Sequence, residues 1–146
     1  MLRGTQSLDF SESHSRDLAL LAIAHSRVGI DVEYVQTIVL RQTSIEQYLA
    51  RPEWSRLQAL PAKARAVALY RCWTQKEAAL KALGVGLLYP PRRVNAIADG
   101  RKSHVVSALG RNWLVRQVAA PVGYAAALAI EQPNRTIRRR QWRIHA

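Results

Sequence analysis

The sequence predicts an α+β fold in which an antiparallel sheet packs on one long helix. Short apolar stretches that are typical of strands lie towards both ends of the chain. Between them, the segment 62–83 is rich in Ala and Leu and contains neither Gly nor Pro, which favours one continuous helix. The chain has 146 residues, 49% of them hydrophobic, and is therefore long enough to bury a core as one domain.

Two strands are predicted before the helix, "LALLAIA" (18–24) and "RVGIDVEYV" (27–35). Only a short polar break separates them, so we expect a tight antiparallel pairing between the two. Successive side chains of a strand point to opposite faces, which places Asp31 and Glu33 together on one face of the second strand. Two carboxylates this close repel each other, and their burial is costly unless a positive group lies between them.

The middle of the chain is predicted to be helical. A short helix runs from a cap at Ser44 to Leu49, and "RPEWSRLQAL" (51–60) begins another with a proline in its first turn. The long helix ends at the glycines of "GVG" (84–86), and the two prolines that follow prevent its resumption.

The last part of the chain returns to sheet. Strand-like stretches are predicted at about 92–98, 103–108, 112–118 and 124–130. The domain is expected to comprise residues 1–132, and residues 133–146 form a basic C-terminal tail that we expect to be loose.

Charge and cysteine content restrict the function classes. The chain carries 22 Lys and Arg against 10 Asp and Glu, a formal net charge of +12, which predicts an acidic or polyanionic partner. Cys72 is the only cysteine, so no internal disulfide can form, which is typical of a reducing compartment. No apolar run is long enough to span a membrane, and "MLRGTQSLDF" does not resemble a signal peptide. We therefore expect a cytoplasmic protein without membrane contact.

The long helix carries a second group of polar residues in "CWTQKEAALKALG" (72–84). Trp73, Glu77 and Lys81 are spaced by four residues and therefore lie along one side of the helix. Taken alone, this pattern is more typical of an exposed Glu–Lys pair beside a core tryptophan. Together with the strand carboxylates, however, Glu77 completes a set of three oxygen ligands that suits Mg²⁺, and Lys81 could neutralise a phosphate next to the metal.

At this point the sequence resembles a known family, the 4'-phosphopantetheinyl transferases. "VGIDVE" followed by "WTQKEAALK" is similar to the paired signature G-[IV]-D-[IV]-E and [FW]-[ST]-x-K-E-[AS]-x-x-K. "FSESHS" (10–15) resembles the F-N-x-S-H-S segment of the surfactin-type branch, and "APVGYAAALAI" (120–130) resembles its closing hairpin strand. The resemblance covers roughly residues 8–130 and implies one half-domain of the 4'-phosphopantetheinyl transferase fold.

The resemblance also implies a reaction. Members of this family move the phosphopantetheine arm of coenzyme A onto a serine hydroxyl of an apo acyl or peptidyl carrier protein and release 3',5'-adenosine bisphosphate. By resemblance, Asp31, Glu33 and Glu77 hold Mg²⁺ against the pyrophosphate of coenzyme A. The positive group that the strand carboxylates require would then be this metal ion.

The remaining site residues follow from the same resemblance. Lys81 would contact the phosphate that is transferred, and Glu77, or a water on the metal, would help to remove the serine proton. Ser13 and His14 would meet phosphates of coenzyme A, with His14 near the 3'-phosphate. Lys76 also matches the signature, but on a helix it points away from Glu77, so a packing role or a role facing a partner is as plausible as a ligand role.

Three alternatives stay open at this level. Surfactin-type members carry a first half-domain before the aspartate motif, whereas thirty residues precede Asp31 here. The chain could therefore be a compact enzyme that forms a homo-dimer or homo-trimer, or a truncated or degenerate relative that binds coenzyme A or carrier protein without catalysis. Thirdly, the basic tail "RTIRRRQWR" could bind nucleic acid, with Trp142 stacking on a base, a reading that we consider weaker.

Overall fold

The computed structural model describes residues 7–36, 45–96, 102–131 and 136–141 and has the predicted α+β architecture. The described chain contains six strands and two α-helices: β1 (Asp9–Ser15), β2 (Leu18–Ala24), β3 (Val28–Tyr34), α1 (Arg51–Gln58), α2 (Ala62–Leu83), β4 (Ser103–Ala108), β5 (Arg111–Gln117) and β6 (Tyr124–Ile130). Short 3₁₀-helices occupy Ile45–Tyr48, Gly86–Leu88 and Pro91–Arg93. Ser44, Trp142 and most of the predicted C-terminal tail lie outside the described residues.

Four strands form an antiparallel sheet in the order β3-β6-β5-β4, and α2 packs on one face of it. The main core lies between them, where Trp113, Val115 and the alanines of β6 contact Ala78, Ala79 and Leu80 of the helix. Helix α2 begins and ends where the sequence predicts, and Gly84 closes it in the left-handed conformation at φ 73°. Cys72 is fully buried in a second core cluster between α1 and α2.

The predicted pairing of 18–24 with 27–35 is wrong. Strand β2 pairs instead with β1, in the register from Asp9 opposite Ala24 to Ser15 opposite Leu18. Strand β3 pairs with β6. The hairpin β1–β2 then packs across the sheet face opposite α2, where half-buried residues such as Leu20 and Ala22 meet Val28 and Ile30.

Polar side chains of β1 join the hairpin to the free edge of β3. They accept hydrogen bonds from the backbone N–H groups of every second residue of β3. We call these four hydrogen bonds the β1 ladder. Its bonds run from Val28 N to Asp9 Oδ2 (3.0 Å), from Ile30 N to Ser11 Oγ (3.0 Å), from Val32 N to Ser13 Oγ (3.1 Å) and from Tyr34 N to Ser15 Oγ (2.9 Å). Buried backbone donors are thus satisfied without a paired strand.

The strand predicted at about 92–98 is also wrong for the part that the structure describes. Residues Pro91–Arg93 form a 3₁₀ turn, and 94–96 have no regular structure. The segment is held by side chains of other elements rather than by a strand ladder, as described below. The strands predicted at 103–108, 112–118 and 124–130 are confirmed to within one residue at their ends.

Among the helices of the described residues, none combines the length and the apolar character that crossing a bilayer requires.

Candidate active site

The site lies between β3 and α2, and the close approach of these two elements depends on Gly29. A Cβ atom on Gly29 would lie 2.0 Å from the backbone oxygen of Ala78 and 2.5 Å from the backbone nitrogen of Ala82. Such distances are far inside van der Waals contact, so only glycine permits this packing. Asp31 and Glu33 follow at two-residue intervals and therefore face the same helix, as the sequence predicts.

Asp31 is the most deeply buried carboxylate of the site, with 4% of its surface exposed. Its Oδ1 atom receives two hydrogen bonds, one from Lys81 Nζ at 2.8 Å and one from Ser13 Oγ at 3.0 Å. Its Oδ2 atom is buried and has no hydrogen-bond partner. Half of the carboxylate is therefore satisfied by the protein, and the other half is not.

Glu33 lies further along the strand and is half-buried. Its Oε2 atom accepts a hydrogen bond from Ser15 Oγ at 3.2 Å. Thus Ser13 and Ser15 of the β1 ladder each contact both the backbone of β3 and one of its carboxylates. The ladder consequently fixes the positions of both acidic side chains as well as the edge of the strand.

Helix α2 contributes Glu77 and Lys81, one turn apart and both half-buried. Glu77 Oε1 is buried and lacks a hydrogen-bond partner. Lys81 Nζ also contacts the backbone oxygens of Ile30 at 3.1 Å and Glu12 at 3.4 Å, so the ammonium group spans β3 and β1. The ring of Trp73, the first residue of the predicted row on α2, packs against Tyr48 with 5.4 Å between ring centroids.

Burial raises the pKa of all three carboxyl groups. For Asp31, loss of solvent outweighs the opposing effects of the Lys81 and Ser13 contacts, and the pKa rises. For Glu33 and Glu77, loss of solvent is again the main cause, and the negative charge of Asp31 raises each pKa further. The negative charge of Glu33 also raises the pKa of Glu77, so the three acids interact electrostatically. The site thus holds more negative charge than Lys81 alone balances.

These observations fit a divalent cation. Two buried carboxylate oxygens without partners, Asp31 Oδ2 and Glu77 Oε1, belong to different elements that face each other, and oxygen ligands are those that Mg²⁺ prefers. However, within the described residues no three His, Cys, Asp or Glu side chains are gathered closely enough to form a ready-made metal cluster. The carboxylates would have to turn towards a common point for all three to bind one ion.

Ser13 and His14 lie on opposite sides of β1. Ser13 faces inwards and contacts Asp31, whereas His14 is exposed on the outer side of the hairpin. The sequence presents both as one short polar segment, and the strand conformation separates them because neighbouring side chains alternate. Ser13 is therefore part of the site as it stands, and the phosphate contacts of both residues stay predictions.

Lys76 is fully buried and has a structural partner. Its Nζ atom lies 2.8 Å from Glu53 Oε2, and it also donates to the backbone oxygens of Pro91, at 3.0 Å, and Val94. Glu53 in turn accepts hydrogen bonds from the backbone N–H groups of Ala50, at 2.8 Å, and Ala96, at 2.7 Å. The pair thereby joins α1, α2 and the segment 91–96, and of the two roles considered for Lys76 it supports the packing role.

Glu53 and Ser15 are the residues that reasoning from the sequence did not single out. A signal for Ser15 exists in the alternation of Asp9, Ser11, Ser13 and Ser15, which is typical of a strand with one polar face. Glu53 occupies the third position of α1, where a glutamate commonly accepts the backbone N–H before the helix. Its ion pair with Lys76 has no local signal, because the two residues are 23 positions apart.

The chain is similar to proteins of known family. Residues 27–129 match the family model of the 4'-phosphopantetheinyl transferase superfamily. The 4'-phosphopantetheinyl transferase HetI of Nostoc sp. is 37% identical over 79 residues, 53% of this chain and 33% of the relative. The 4'-phosphopantetheinyl transferase psf-1 of Bacillus pumilus is 32% identical over 89 residues, 61% of this chain and 37% of the relative.

A third relative, the 4'-phosphopantetheinyl transferase gsp of Aneurinibacillus migulanus, is 31% identical over 83 residues, 57% of this chain and 34% of the relative. The chain thus spans about a third of the length of the curated relatives that it matches. The matched family segment includes β3 and α2, and therefore Asp31, Glu33, Glu77 and Lys81. The protein belongs to the 4'-phosphopantetheinyl transferase superfamily.

Proposed function

We propose that the protein transfers the 4'-phosphopantetheine group of coenzyme A to a serine of an apo acyl or peptidyl carrier protein, with Mg²⁺ as cofactor. The serine oxygen forms a bond to the phosphorus that carries the pantetheine arm. The bond from that phosphorus to the bridging oxygen breaks, and 3',5'-adenosine bisphosphate leaves. The observation that carries this proposal is the pair of unpartnered, buried oxygens on Asp31 and Glu77, next to Lys81.

Asp31, Glu33 and Glu77 are the residues that we propose to hold the Mg²⁺ ion, which supplies positive charge against the pyrophosphate. Lys81 provides a second positive charge close by and is proposed to contact the transferred phosphate, where negative charge develops during the reaction. Glu77, or a water on the metal, is proposed to accept the proton of the serine hydroxyl, because the buried Oε1 atom of Glu77 makes no hydrogen bond of its own. Lys81 and Glu77 are thus the proposed catalytic residues.

We propose that Ser13 and His14 bind phosphates of coenzyme A from the two sides of β1. Ser13 is already adjacent to Asp31 and Lys81, so its hydroxyl belongs to the side of the pyrophosphate. His14 is exposed and is therefore accessible to the 3'-phosphate of the nucleotide. Residues 1–132 would form the catalytic domain, and the tail 133–146 would lie outside it.

The proposed partners follow from charge and from exposed surface. The net charge of +12 favours an acidic carrier protein over a basic one. Apolar side chains on the outer side of the β1–β2 hairpin favour self-association as a homo-dimer or homo-trimer. The cytoplasm supplies coenzyme A and carrier proteins, and we propose that compartment as the site of action.

Intact-mass spectrometry of an apo carrier protein tests the proposal directly. After incubation with the protein, coenzyme A and Mg²⁺, the carrier should gain the mass of one phosphopantetheine group. A carrier whose acceptor serine is replaced by Ala should stay unmodified, as should the wild-type carrier incubated with the Glu77→Gln enzyme. If the protein binds coenzyme A but leaves several acyl and peptidyl carriers unmodified, it is a binding relative without catalysis.

A further inference from the structure

The ammonium group of Lys81 lies against one oxygen of Asp31, Oδ1, next to the unpartnered oxygen, Oδ2, that is available to a metal ion. Lys81 Nζ lies 2.8 Å from Asp31 Oδ1, and it is the only described ion-pair partner of that carboxylate. The three carboxylates do not form a ready-made metal cluster in this arrangement. An ammonium group this close repels an incoming cation and holds Asp31 Oδ1 turned towards itself.

We infer that Lys81 acts as an internal cation that competes with the divalent metal for Asp31, and that a phosphate ligand removes this competition by drawing Lys81 away. This inference rests on the proposed function, since it assigns a second role to a residue of the same site. Metal and phosphate should then bind cooperatively, and the coupling between them passes through Lys81. In the protein without phosphate, Lys81 weakens the binding of the metal.

The two side chains differ in their freedom to move. The side chain of Lys81 is 33% exposed, whereas that of Asp31 is 5% exposed. Asp31 is also held by Ser13 and is fixed on a strand, while the ammonium group of Lys81 sits on a flexible four-carbon stem. Lys81 is therefore the partner that moves. Its remaining contacts are with two backbone oxygens, at 3.1 Å and 3.4 Å. These oxygens are uncharged acceptors, and a charged phosphate can replace them.

Binding of Mn²⁺ alone, followed by electron paramagnetic resonance of the free ion, tests this competition without any reaction. The wild-type protein without phosphate ligand should bind Mn²⁺ weakly. Replacement of the ammonium group in Lys81→Met should lower the dissociation constant for Mn²⁺ by about tenfold or more, since one unit charge next to the site is removed. Lys81→Gln serves as a second variant with a polar side chain, in case the methionine variant does not fold.

Lys63→Met is the matched control. Lys63 is exposed near the start of the same helix, about 27 Å from Lys81 at 1.5 Å per residue, and its loss changes the net charge by the same amount. This variant should bind Mn²⁺ like the wild type. The gain from Lys81→Met should also disappear when Asp31→Asn is added, because the competition concerns Asp31. Equal gains in Lys63→Met and Lys81→Met, or a gain that persists in Asp31→Asn, overturn the inference.

Inorganic pyrophosphate provides a second measurement on the unmodified protein. In the wild type, pyrophosphate should strengthen Mn²⁺ binding beyond what the Mn²⁺–pyrophosphate complex explains in solution, and Lys81→Gln should show less of this cooperativity. Absence of cooperativity in the wild type, or unchanged Mn²⁺ affinity in both Lys81 variants, refutes the competition. The carrier-mass assay, run in parallel on the wild type, decides the proposed function separately, because the Mn²⁺ pattern can hold whether or not transfer occurs.

Discussion

Glu77 illustrates the conflict between stability and function at the level of single residues. Its carboxylate is half-buried, has an oxygen without a partner, and shares its surroundings with Asp31 and Glu33. Each negative charge in this space raises the free energy of the folded protein when no metal is bound. The acids are therefore present at a cost in stability, which is the pattern expected of groups that bind a cation.

Glu77→Gln should stabilise the protein in the absence of metal, in a pH-dependent way. Folding raises the pKa of Glu77, so as the pH rises from its ordinary value of 4.5 towards the raised value, the folded state keeps a proton that the unfolded state has lost. The stability of the wild type therefore falls over this interval, and the full penalty applies above it. Glutamine avoids this penalty, so its advantage should be near zero at about pH 4 and reach about 2 °C in melting temperature at neutral pH.

Thermal melts of the two proteins at several pH values measure this difference. Excess Mg²⁺ with coenzyme A should reduce or reverse it, because only the wild type keeps the carboxylate. A glutamine variant that melts below the wild type at neutral pH without ligands would contradict the assignment of Glu77 as a strained acid.

The elements of the fold differ in how well local sequence predicts them. The sequence predicts helix α2 with the correct ends because its composition and the glycines after it are local signals. Strand β1 is not predicted as a strand, since its inward face is polar: these side chains bond to backbone groups of β3, while its backbone pairs with β2. The pairing of β2 with β1 is local, with Ser15 opposite Leu18 across a two-residue turn, and it is missed because β1 is not recognised as a strand. The 3₁₀ turn at Pro91–Arg93 depends on a contact with the distant Lys76, which a local pattern does not contain.

The geometry of the site, too, can be predicted only in part from local sequence. Sequence motifs predict that Asp31 and Glu33 share a face and that Glu77 and Lys81 share a side of α2, because strand and helix periods determine both. The contact between Lys81 and Asp31 spans 50 positions and could not be predicted from either period. It depends on how closely two elements pack, and that distance is determined by Gly29.

Gly29→Ala should therefore disturb both the fold and the site. The new methyl group would meet backbone atoms of α2, which cannot move aside as a side chain can. The helix must shift, which should lower the free energy of unfolding by about 3 kcal/mol. Lys81 then no longer lies within hydrogen-bond distance of Asp31. Urea denaturation measures the loss in the free energy of unfolding. A dissociation constant for Mn²⁺ that differs from that of the wild type measures the disturbance of the site.

Gly86→Ala is an informative comparison for this substitution. Nothing lies within 4 Å of its Cβ position, but the residue has φ +53°, so alanine there is strained by its backbone conformation alone. We expect a cost of about 1 kcal/mol and normal Mn²⁺ binding. If Gly29→Ala is no more destabilising than Gly86→Ala, the close contact between β3 and α2 is not required.

The buried pair of Lys76 and Glu53 should stabilise the arrangement of α1, α2 and the segment 91–96. Lys76→Met leaves the Glu53 carboxylate buried without its positive partner and leaves two backbone oxygens without a donor. We expect a loss of about 3–5 kcal/mol in the free energy of unfolding. Lys63→Met, on the exposed start of the same helix, should change it by less than about 0.5 kcal/mol. Equal effects of both variants in urea denaturation would refute the structural role.

At the scale of the whole molecule, charge is the dominant property. With a net charge of +12, the protein should attract an acidic carrier over distances that salt screens to about 8 Å at physiological ionic strength. The KM for the carrier should therefore rise when the salt concentration is raised, while kcat changes less. A KM that stays constant between low and high salt would show that charge does not guide recognition.

The outer side of the β1–β2 hairpin is the second property of the whole molecule. Phe10, Leu21 and Ile23 lie there with exposed fractions of 68%, 56% and 61%. Exposed apolar side chains that cluster on one face commonly become an interface. We expect the protein to sediment as a dimer or trimer.

The substitutions Phe10→Gln and Ile23→Gln, at directly opposite positions of the hairpin, should shift the protein towards a single chain. Leu87→Gln with Leu88→Gln is the matched control, because these leucines are 62% and 95% exposed on a different element. Analytical ultracentrifugation measures both variants. A wild-type protein that is monomeric at all concentrations would contradict the prediction.

The β1 ladder has a consequence for aggregation. Strand β3 lies at one end of the four-stranded sheet, and such an edge normally offers a row of free N–H groups to which strands of other molecules can add. Here four side chains of β1 occupy these groups, so the edge is blocked without being extended by a further strand. A shortened chain that lacks the hairpin would lose more than Ser13 and His14. It would expose a bare strand edge and would be expected to form intermolecular sheets rather than a smaller folded domain.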